Sequence, residues 1–258
     1  MPAALVTSRR PPPLPTPAAL EHESCRRLRA AADPRVATGL HAYFKKTERV
    51  RFFGLKAAAL RAIEREMLAR VQGRWSLREA AAYCGLLLRR PELEAKALGA
   101  MVLARHRRRF EPWLLSDAKR WLAAGLCASW ATTDALSSLV IAEVLRRFPD
   151  RIATLPSWTR SRNLWVRRAA AVSLVPLARR GQALDGAYAV AAALLGDDED
   201  LVHKATGWLL REAGRTDVHR LERFLLRHGP RLPRTALRYA IERLPAARRR
   251  ELLARTRG

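Results

Sequence analysis

The chain has 258 residues, enough for one large domain or two small ones, and its 49% hydrophobic and 28% charged residues are typical of a folded protein. Its 49 Lys and Arg residues against 24 Asp and Glu give a net charge of +25, which disfavours cationic partners and indicates a polyanionic one. The 3 cysteines are widely spaced and form no CxxC motif, which argues against a disulfide framework and a zinc site.

The basic residues are mostly arginines. Guanidinium groups are planar and carry several donors suited to phosphate, so this composition favours a nucleic acid over a merely solubilising charge. A codon bias toward arginine would replace lysine by arginine and leave the net charge unchanged. No stretch approaches the roughly 18 uninterrupted apolar residues of a membrane span, and we expect a cytoplasmic, nucleoid-associated protein.

The N-terminal segment, residues 1 to about 20, is rich in proline and lacks hydrophobic periodicity. This predicts a flexible tail, followed by a single domain over residues 21–258. From about residue 22 onward, helix-forming residues dominate and strand-like alternation is absent. Breaker residues and a capping box at Ser76 and Glu79 divide this part into helices at about 22–33, 54–72, 76–90, 92–106, 112–126, 130–148, 163–180, 184–195, 198–213, 217–227, 233–243 and 246–256.

Helices of this length joined by short links predict an all-α protein built as a curved solenoid, or superhelix, of HEAT-like helical pairs. The alternative is a compact helical bundle. We favour the solenoid because no helix is apolar enough to be surrounded on all sides.

One helical stripe carries Lys204, Trp208, Arg211 and Arg215, at positions i, i+4, i+7 and i+11. Because unpaired cations are costly to bury, this stripe is sensible on a surface that faces DNA. The alternative is a tryptophan at the edge of the core with its neighbouring cations in solvent.

Two further helices each carry a tryptophan beside a charged residue: Trp165 lies one turn before Arg168, and Trp130 lies four residues before Asp134. Arg168 could neutralise a backbone phosphate or pair with a carboxylate. Asp134 could be an acid that complements the dipole at a helix N-terminus. Spacing alone leaves these alternatives open.

In order and spacing, these motifs resemble the AlkD-like family of DNA alkylation-repair glycosylases. The resemblance covers about residues 35 to 245 and depends on Trp130 with Asp134, Trp165 with Arg168, the run Ala205, Gly207, Trp208, Leu210, Arg211, Glu212, and the early segment 51–56, which reads Arg-Phe-Phe-Gly-Leu-Lys.

The resemblance implies a HEAT-like array whose basic concave face holds duplex DNA, and hydrolysis of the N-glycosidic bond of cationic N3- and N7-alkyl purines. It implies that Asp134 is the catalytic aspartate and Arg168 the active-site arginine, and that Trp130 and Trp208 pack around the damaged nucleotide. Trp165, Lys204 and Arg211 are further predicted DNA contacts. The chain departs from the family pattern directly after Trp130, at Ala131-Thr132.

This chemistry suits a single carboxylate. A cationic purine is already an activated leaving group, so what remains is to stabilise an oxocarbenium-like sugar and orient a water. We therefore expect a monomeric glycosylase that needs no metal or cofactor and acts on double-stranded DNA containing alkylated bases. The alternatives are a catalytically silent protein that recognises DNA structure, and a HEAT-type protein-interaction scaffold.

Overall fold

The computed structural model describes residues 13–44, 48, 50–71 and 73–256. These residues form helices, 3₁₀ turns and loops, and their only β-type pairing is an isolated bridge between Arg51 and Glu92. The α-helices are α1 (Pro17–Ala30), α2 (Pro34–His41), α3 (Ala57–Val71), α4 (Leu77–Leu88), α5 (Leu93–Ala104), α6 (Trp113–Ala123), α7 (Trp130–Leu136), α8 (Ala142–Arg147), α9 (Leu155–Trp158), α10 (Leu164–Val172), α11 (Val175–Ala178), α12 (Leu184–Ala193), α13 (Asp200–Ala213), α14 (Val218–His228), α15 (Arg234–Ala240) and α16 (Ala246–Arg255).

The helices stack in two layers. The first layer contains α3, α5, α7, α10, α13 and α15, and each of these helices packs against the next one along the chain. The second layer contains α1, α4, α6, α9, α12, α14 and α16, which cover the first layer from one side. The hydrophobic core runs continuously between the layers. The predicted all-α solenoid of helical pairs is confirmed.

Local sequence explains several helix ends and close approaches. The predicted capping box is present at the start of α4, where the Glu79 amide donates to Ser76 Oγ (3.2 Å) and the Ser76 amide donates to the Glu79 carboxylate (2.7 Å). Gly207 lets α13 approach α15, because a Cβ there would lie 2.5 Å from the Ala236 carbonyl oxygen and 2.5 Å from Tyr239 Cβ.

Helix α1 begins at Pro17, earlier than the sequence pattern predicts. Thr16 caps it, Leu20 is fully buried, and the Trp75 indole donates to the Pro15 carbonyl (3.1 Å). Proline at the first helical position needs no amide partner, so this proline-rich stretch can start a helix. Residues 17–20, which were predicted to belong to the flexible tail, thus form the start of α1. Residues 1–12 of the predicted tail lie outside the described residues.

The predicted helix over about 130–148 contains a π-helical segment, Ser137–Ile141, between α7 and α8. The predicted helix over about 163–180 is divided into α10 and α11, with Pro176 in the first turn of α11. Within the described residues, no helix is long and apolar enough to cross a membrane.

Candidate active site

Helix α7 carries Trp130 at its first position and Asp134 one turn later. The Ser129 hydroxyl caps the helix by accepting from the Thr132 amide (3.3 Å), and Thr133 Oγ1 donates to the Cys127 carbonyl (2.7 Å). These hydrogen bonds fix the start of the helix. Since residues four apart share a helix face, Trp130 and Asp134 lie on the same side of α7.

Asp134 forms a bidentate ion pair with Arg168 of α10. Arg168 Nε donates to Asp134 Oδ1 and Arg168 Nη2 donates to Oδ2, both at 2.8 Å. Arg168 Nη1 also donates to the Leu201 carbonyl on α13. One guanidinium therefore links three neighbouring helices of the first layer. Arg168 was expected to neutralise a phosphate or to pair with a carboxylate, and the structure shows the carboxylate pair.

The pair is partly accessible from the carboxylate side. The Asp134 side chain is 18% exposed, whereas that of Arg168 is 6% exposed. Each carboxylate oxygen can accept more than one hydrogen bond, so Asp134 can still bind a water molecule or face a developing positive charge.

Burial raises the pKa of the Asp134 carboxyl above its ordinary value, and the hydrogen bonds and charge of Arg168 act in the opposite direction. The guanidinium is what favours the ionised carboxylate in this buried position. The charge state of Asp134 thus depends on Arg168 more than on the start of α7.

An aromatic cluster supports Trp130. The Phe44 ring stacks on the Trp130 ring, with centroids 5.1 Å apart and planes 21° apart. Phe52 then packs edge-on against Phe44 (5.5 Å) and against His41 (4.9 Å). No sequence motif indicates Phe44 or His41, whereas the Phe-Phe-Gly segment was a signal for Phe52.

The Glu94 carboxylate holds that segment in place. It accepts hydrogen bonds from the amides of Phe53 (3.1 Å), Gly54 (2.8 Å) and Leu55 (3.1 Å). Gly54 has a φ of 86°, and a Cβ there would collide with the Asp33 carbonyl oxygen. The glycine and the buried acid together position Phe52 beside Phe44.

The stripe on α13 was expected to present cations to DNA phosphates. In the structure these cations are paired with carboxylates. Lys204 pairs with Asp200 (2.9 Å), and Arg211 pairs with Glu212 (3.3 Å) and Glu242. Helical spacing could have indicated the pair of Lys204 with Asp200, whereas the pair of Arg211 with Glu242 joins α13 to the segment after α15. The role of both cations as DNA contacts stays a prediction.

Trp208 and Trp165 are half-buried and pack against the core. The Trp208 Nε1 atom is buried and has no hydrogen-bond partner among the described residues. Trp165 stands in the first turn of α10, where the Asn163 side chain accepts from its amide (2.8 Å). Trp208 matches the edge-of-core alternative in its packing, Trp165 packs in a similar way, and the contact of both with DNA stays a prediction.

Glu212, at the end of the α13 motif, is fully buried. Four arginines surround its carboxylate: Arg179 (2.9 Å), Arg211 (3.3 Å), Arg215 (3.3 Å) and Arg243 (3.6 Å). Burial alone would raise the pKa of Glu212, but the arginines, with Arg179 foremost, lower it overall. The sequence motif that ends in Glu212 did not indicate this cluster of ion pairs.

Residues 25–244 match the family model of the DNA alkylation repair enzyme. Among solved structures, the chain is similar to a predicted DNA alkylation repair enzyme from Enterococcus faecalis, with a TM-score of 0.73 and 19% sequence identity over 83% of this chain and 97% of that chain. At that identity the likeness shows the fold. No curated protein matches the chain.

Proposed function

Because the chain belongs to the DNA alkylation repair enzyme family, we propose that it is a DNA glycosylase that hydrolyses the N-glycosidic bond of alkylated purines in duplex DNA. Its substrates are N3- and N7-alkyl purines, whose positive charge makes the base a good leaving group. The net charge of +25 supports a duplex DNA partner, since phosphates attract an arginine-rich surface.

The observation that carries the proposal is the bidentate pair of Asp134 and Arg168. It places one oriented, partly exposed carboxylate on the helix face that also presents Trp130. A carboxylate fixed before the reaction stabilises positive charge without reorganising during it.

The reaction follows from this arrangement. The bond between C1′ and the purine nitrogen breaks, and its electron pair neutralises the cationic base, which leaves. The sugar gains oxocarbenium character, which the Asp134 carboxylate stabilises. Water then bonds to C1′ and its proton passes to Asp134 or to solvent, giving an abasic site.

Trp130 and Trp208 supply indole surfaces, which attract a cationic base or sugar. The stack of Phe44 on Trp130 fixes the orientation of that indole. Lys204 and Arg211 lie on α13, which packs against α10. There Lys204 complements a phosphate beside the damaged nucleotide, and Arg211 does so in place of its exposed partner Glu242. Trp165 packs beside Arg168 at the start of α10.

The test is single-turnover release of N7-methylguanine from duplex DNA by the wild type and by Asp134→Asn. The asparagine keeps the shape and removes the charge, so release falls by about 10²-fold or more while affinity for damaged DNA is kept. The matched control is Asp185→Asn, which removes a carboxylate that pairs with Arg220 (2.6 Å) on the second layer and leaves release unchanged.

Equal release by wild type and Asp134→Asn would remove Asp134 from the mechanism. No release by either protein, with binding to duplex DNA retained, would favour the catalytically silent DNA-binding protein. Loss of DNA binding as well would favour the interaction scaffold.

A further inference from the structure

The second layer contains a groove between α4 and α6, and its lining includes no residue of the helices that carry Asp134 and Arg168. Its volume is about 380 Å³. The lining residues follow helical spacing on both helices: Arg78, Ala82 and Gly85 on α4 with Arg89 directly after it, and Trp113, Asp117 and Trp121 on α6.

The floor of the groove is an indole edge. Trp121 is buried, and its Nε1 atom is the nearest to the position that a Cβ on Gly85 would take (3.5 Å). No described residue accepts a hydrogen bond from this N–H. The absence of a side chain at Gly85 therefore leaves the Trp121 donor facing the groove.

The rim is cationic. The Arg78 guanidinium lies 3.9 Å above the centroid of the Trp113 ring, which orients it. Arg78 and Arg89 form no ion pair with any described residue. The carboxylate in the groove, Asp117, is already paired with Arg120 (2.8 Å).

The groove thus offers hydrogen-bond donors and positive charge without a matching set of acceptors. A ligand that fills it must bring acceptors, and a carboxylate matches the planar fork of a guanidinium. The small side chain of Ala82 leaves room for an apolar group above Trp121.

A nucleic acid fits this groove less well than a peptide. Single strands bind by stacking bases on free aromatic faces, but Arg78 already covers Trp113 and the Trp121 ring is buried. The N-terminal residues 1–12 contain no Asp or Glu, so they do not supply the carboxylates.

We propose that the α4–α6 groove binds an acidic peptide segment of another protein. Carboxylates of the segment pair with Arg78 and Arg89, and an apolar side chain packs between Ala82 and Trp121. Because DNA is assigned to the first layer, the protein can hold this partner while it is bound to DNA.

The probe is a short dye-labelled peptide of alternating Asp and Leu, with a matched peptide of alternating Asn and Leu, measured by fluorescence anisotropy. The wild type binds the acidic peptide and not the neutral one. The double variant Arg78→Glu, Arg89→Glu weakens binding by about tenfold or more, since it replaces two attractions by two repulsions.

The matched control is Arg223→Glu, Arg249→Glu, which makes the same charge change at exposed positions of α14 and α16 outside the groove. It weakens binding by about twofold, the effect of net charge alone. Equal weakening by the two double variants would mean diffuse attraction and would overturn the proposal, as would failure of the wild type to bind.

Gly85→Leu tests the apolar part without a charge change. It fills the space above Trp121 and weakens peptide binding, while the helical circular dichroism and the release of N7-methylguanine stay at wild-type level. The same variants are measured with a dye-labelled oligothymidine. Loss of oligothymidine binding with unchanged peptide binding would assign the groove to nucleic acid and overturn the peptide proposal.

Discussion

Asp134 and Glu212 are both acidic residues of the first layer that are paired with arginine, yet their surroundings differ. Asp134 has one arginine, in a bidentate pair, and is 18% exposed. Glu212 is fully buried and has four arginines around it. Burial raises the pKa of Asp134 despite Arg168, whereas the four arginines lower the pKa of Glu212 despite its burial.

The difference separates a carboxylate that can react from one that holds the fold. Arginines on α13 and on its neighbouring segments occupy both oxygens of Glu212, so nothing remains for a ligand. Asp134 keeps an accessible side beside Trp130. Of these two carboxylates, the one with fewer arginines is therefore the one that is open to a ligand.

The largest expected effect concerns the fold at Glu212. Glu212→Ala removes the buried partner of four cations and lowers the free energy of unfolding by about 3 to 5 kcal/mol. Asp134→Ala lowers it by less, because its site is partly exposed. Urea unfolding of both variants, followed by circular dichroism, checks this, and equal losses would contradict the comparison.

The same cluster has a pH signature. Since the folded-state pKa of Glu212 is lowered, its contribution to stability is present above the unfolded pKa, near 4.5, and is lost as pH falls through the folded value. The Glu212→Gln variant has no carboxylate to protonate here, so its free energy of unfolding falls less on acidification than that of the wild type.

The second effect concerns the ionisation of Asp134. Its proposed role needs the charged form, so excision falls as pH drops through a pKa that burial has raised. Arg168→Gln removes the opposing cation, so the pH below which excision is lost moves to a higher value. Single-turnover release against pH measures the shift.

The control for this prediction is Arg179→Gln, which removes a cation from Glu212 and leaves the acid limb of excision in place. An unchanged limb in Arg168→Gln would separate Asp134 from the pH dependence.

Much of the fold follows from the sequence. Helix-forming composition, breakers and the Ser76–Glu79 capping box predict the helices and their pairing, because each signal acts within a few residues. Helix α2 (Pro34–His41) was not predicted, and two further local features were missed. Helix α1 starts among prolines, which the composition had assigned to a tail, and the π-helical segment Ser137–Ile141 has no sequence signal that we identified.

The site is harder to predict, because its contacts join distant segments. Spacing places Trp130 with Asp134 on one face, but the pairing of Asp134 with Arg168 spans 34 residues and needs the packing of α7 on α10. Phe44 reaches Trp130 in the same way. The four-arginine cluster at Glu212 was missed because Arg179 and Arg243 come from outside α13.

A smaller effect separates a binding surface from the core. Trp130→Ala reduces excision but changes the free energy of unfolding by only about 1 to 2 kcal/mol, as for a partly exposed side chain. Trp75→Ala, at a fully buried position, costs about 3 to 5 kcal/mol. Comparable losses for the two tryptophans would mean that Trp130 serves the core.

The smallest effect concerns salt. Lys204 lies on α13 within electrostatic reach of Arg168, and the exposed Asp200 holds it only loosely, so DNA phosphate can take the place of that partner. Arg215, two residues after the end of α13, is held by the buried Glu212. For each phosphate neutralised, log K falls by about 0.9 per decade of salt, so Lys204→Gln reduces the slope by about that amount. Arg215→Gln changes the slope by less, because Arg215 follows the end of α13 and the buried Glu212 holds its guanidinium. Duplex binding measured across a salt series decides the matter: equal slopes for the two variants would mean that the surface around Asp134 attracts DNA no more than the Glu212 cluster does.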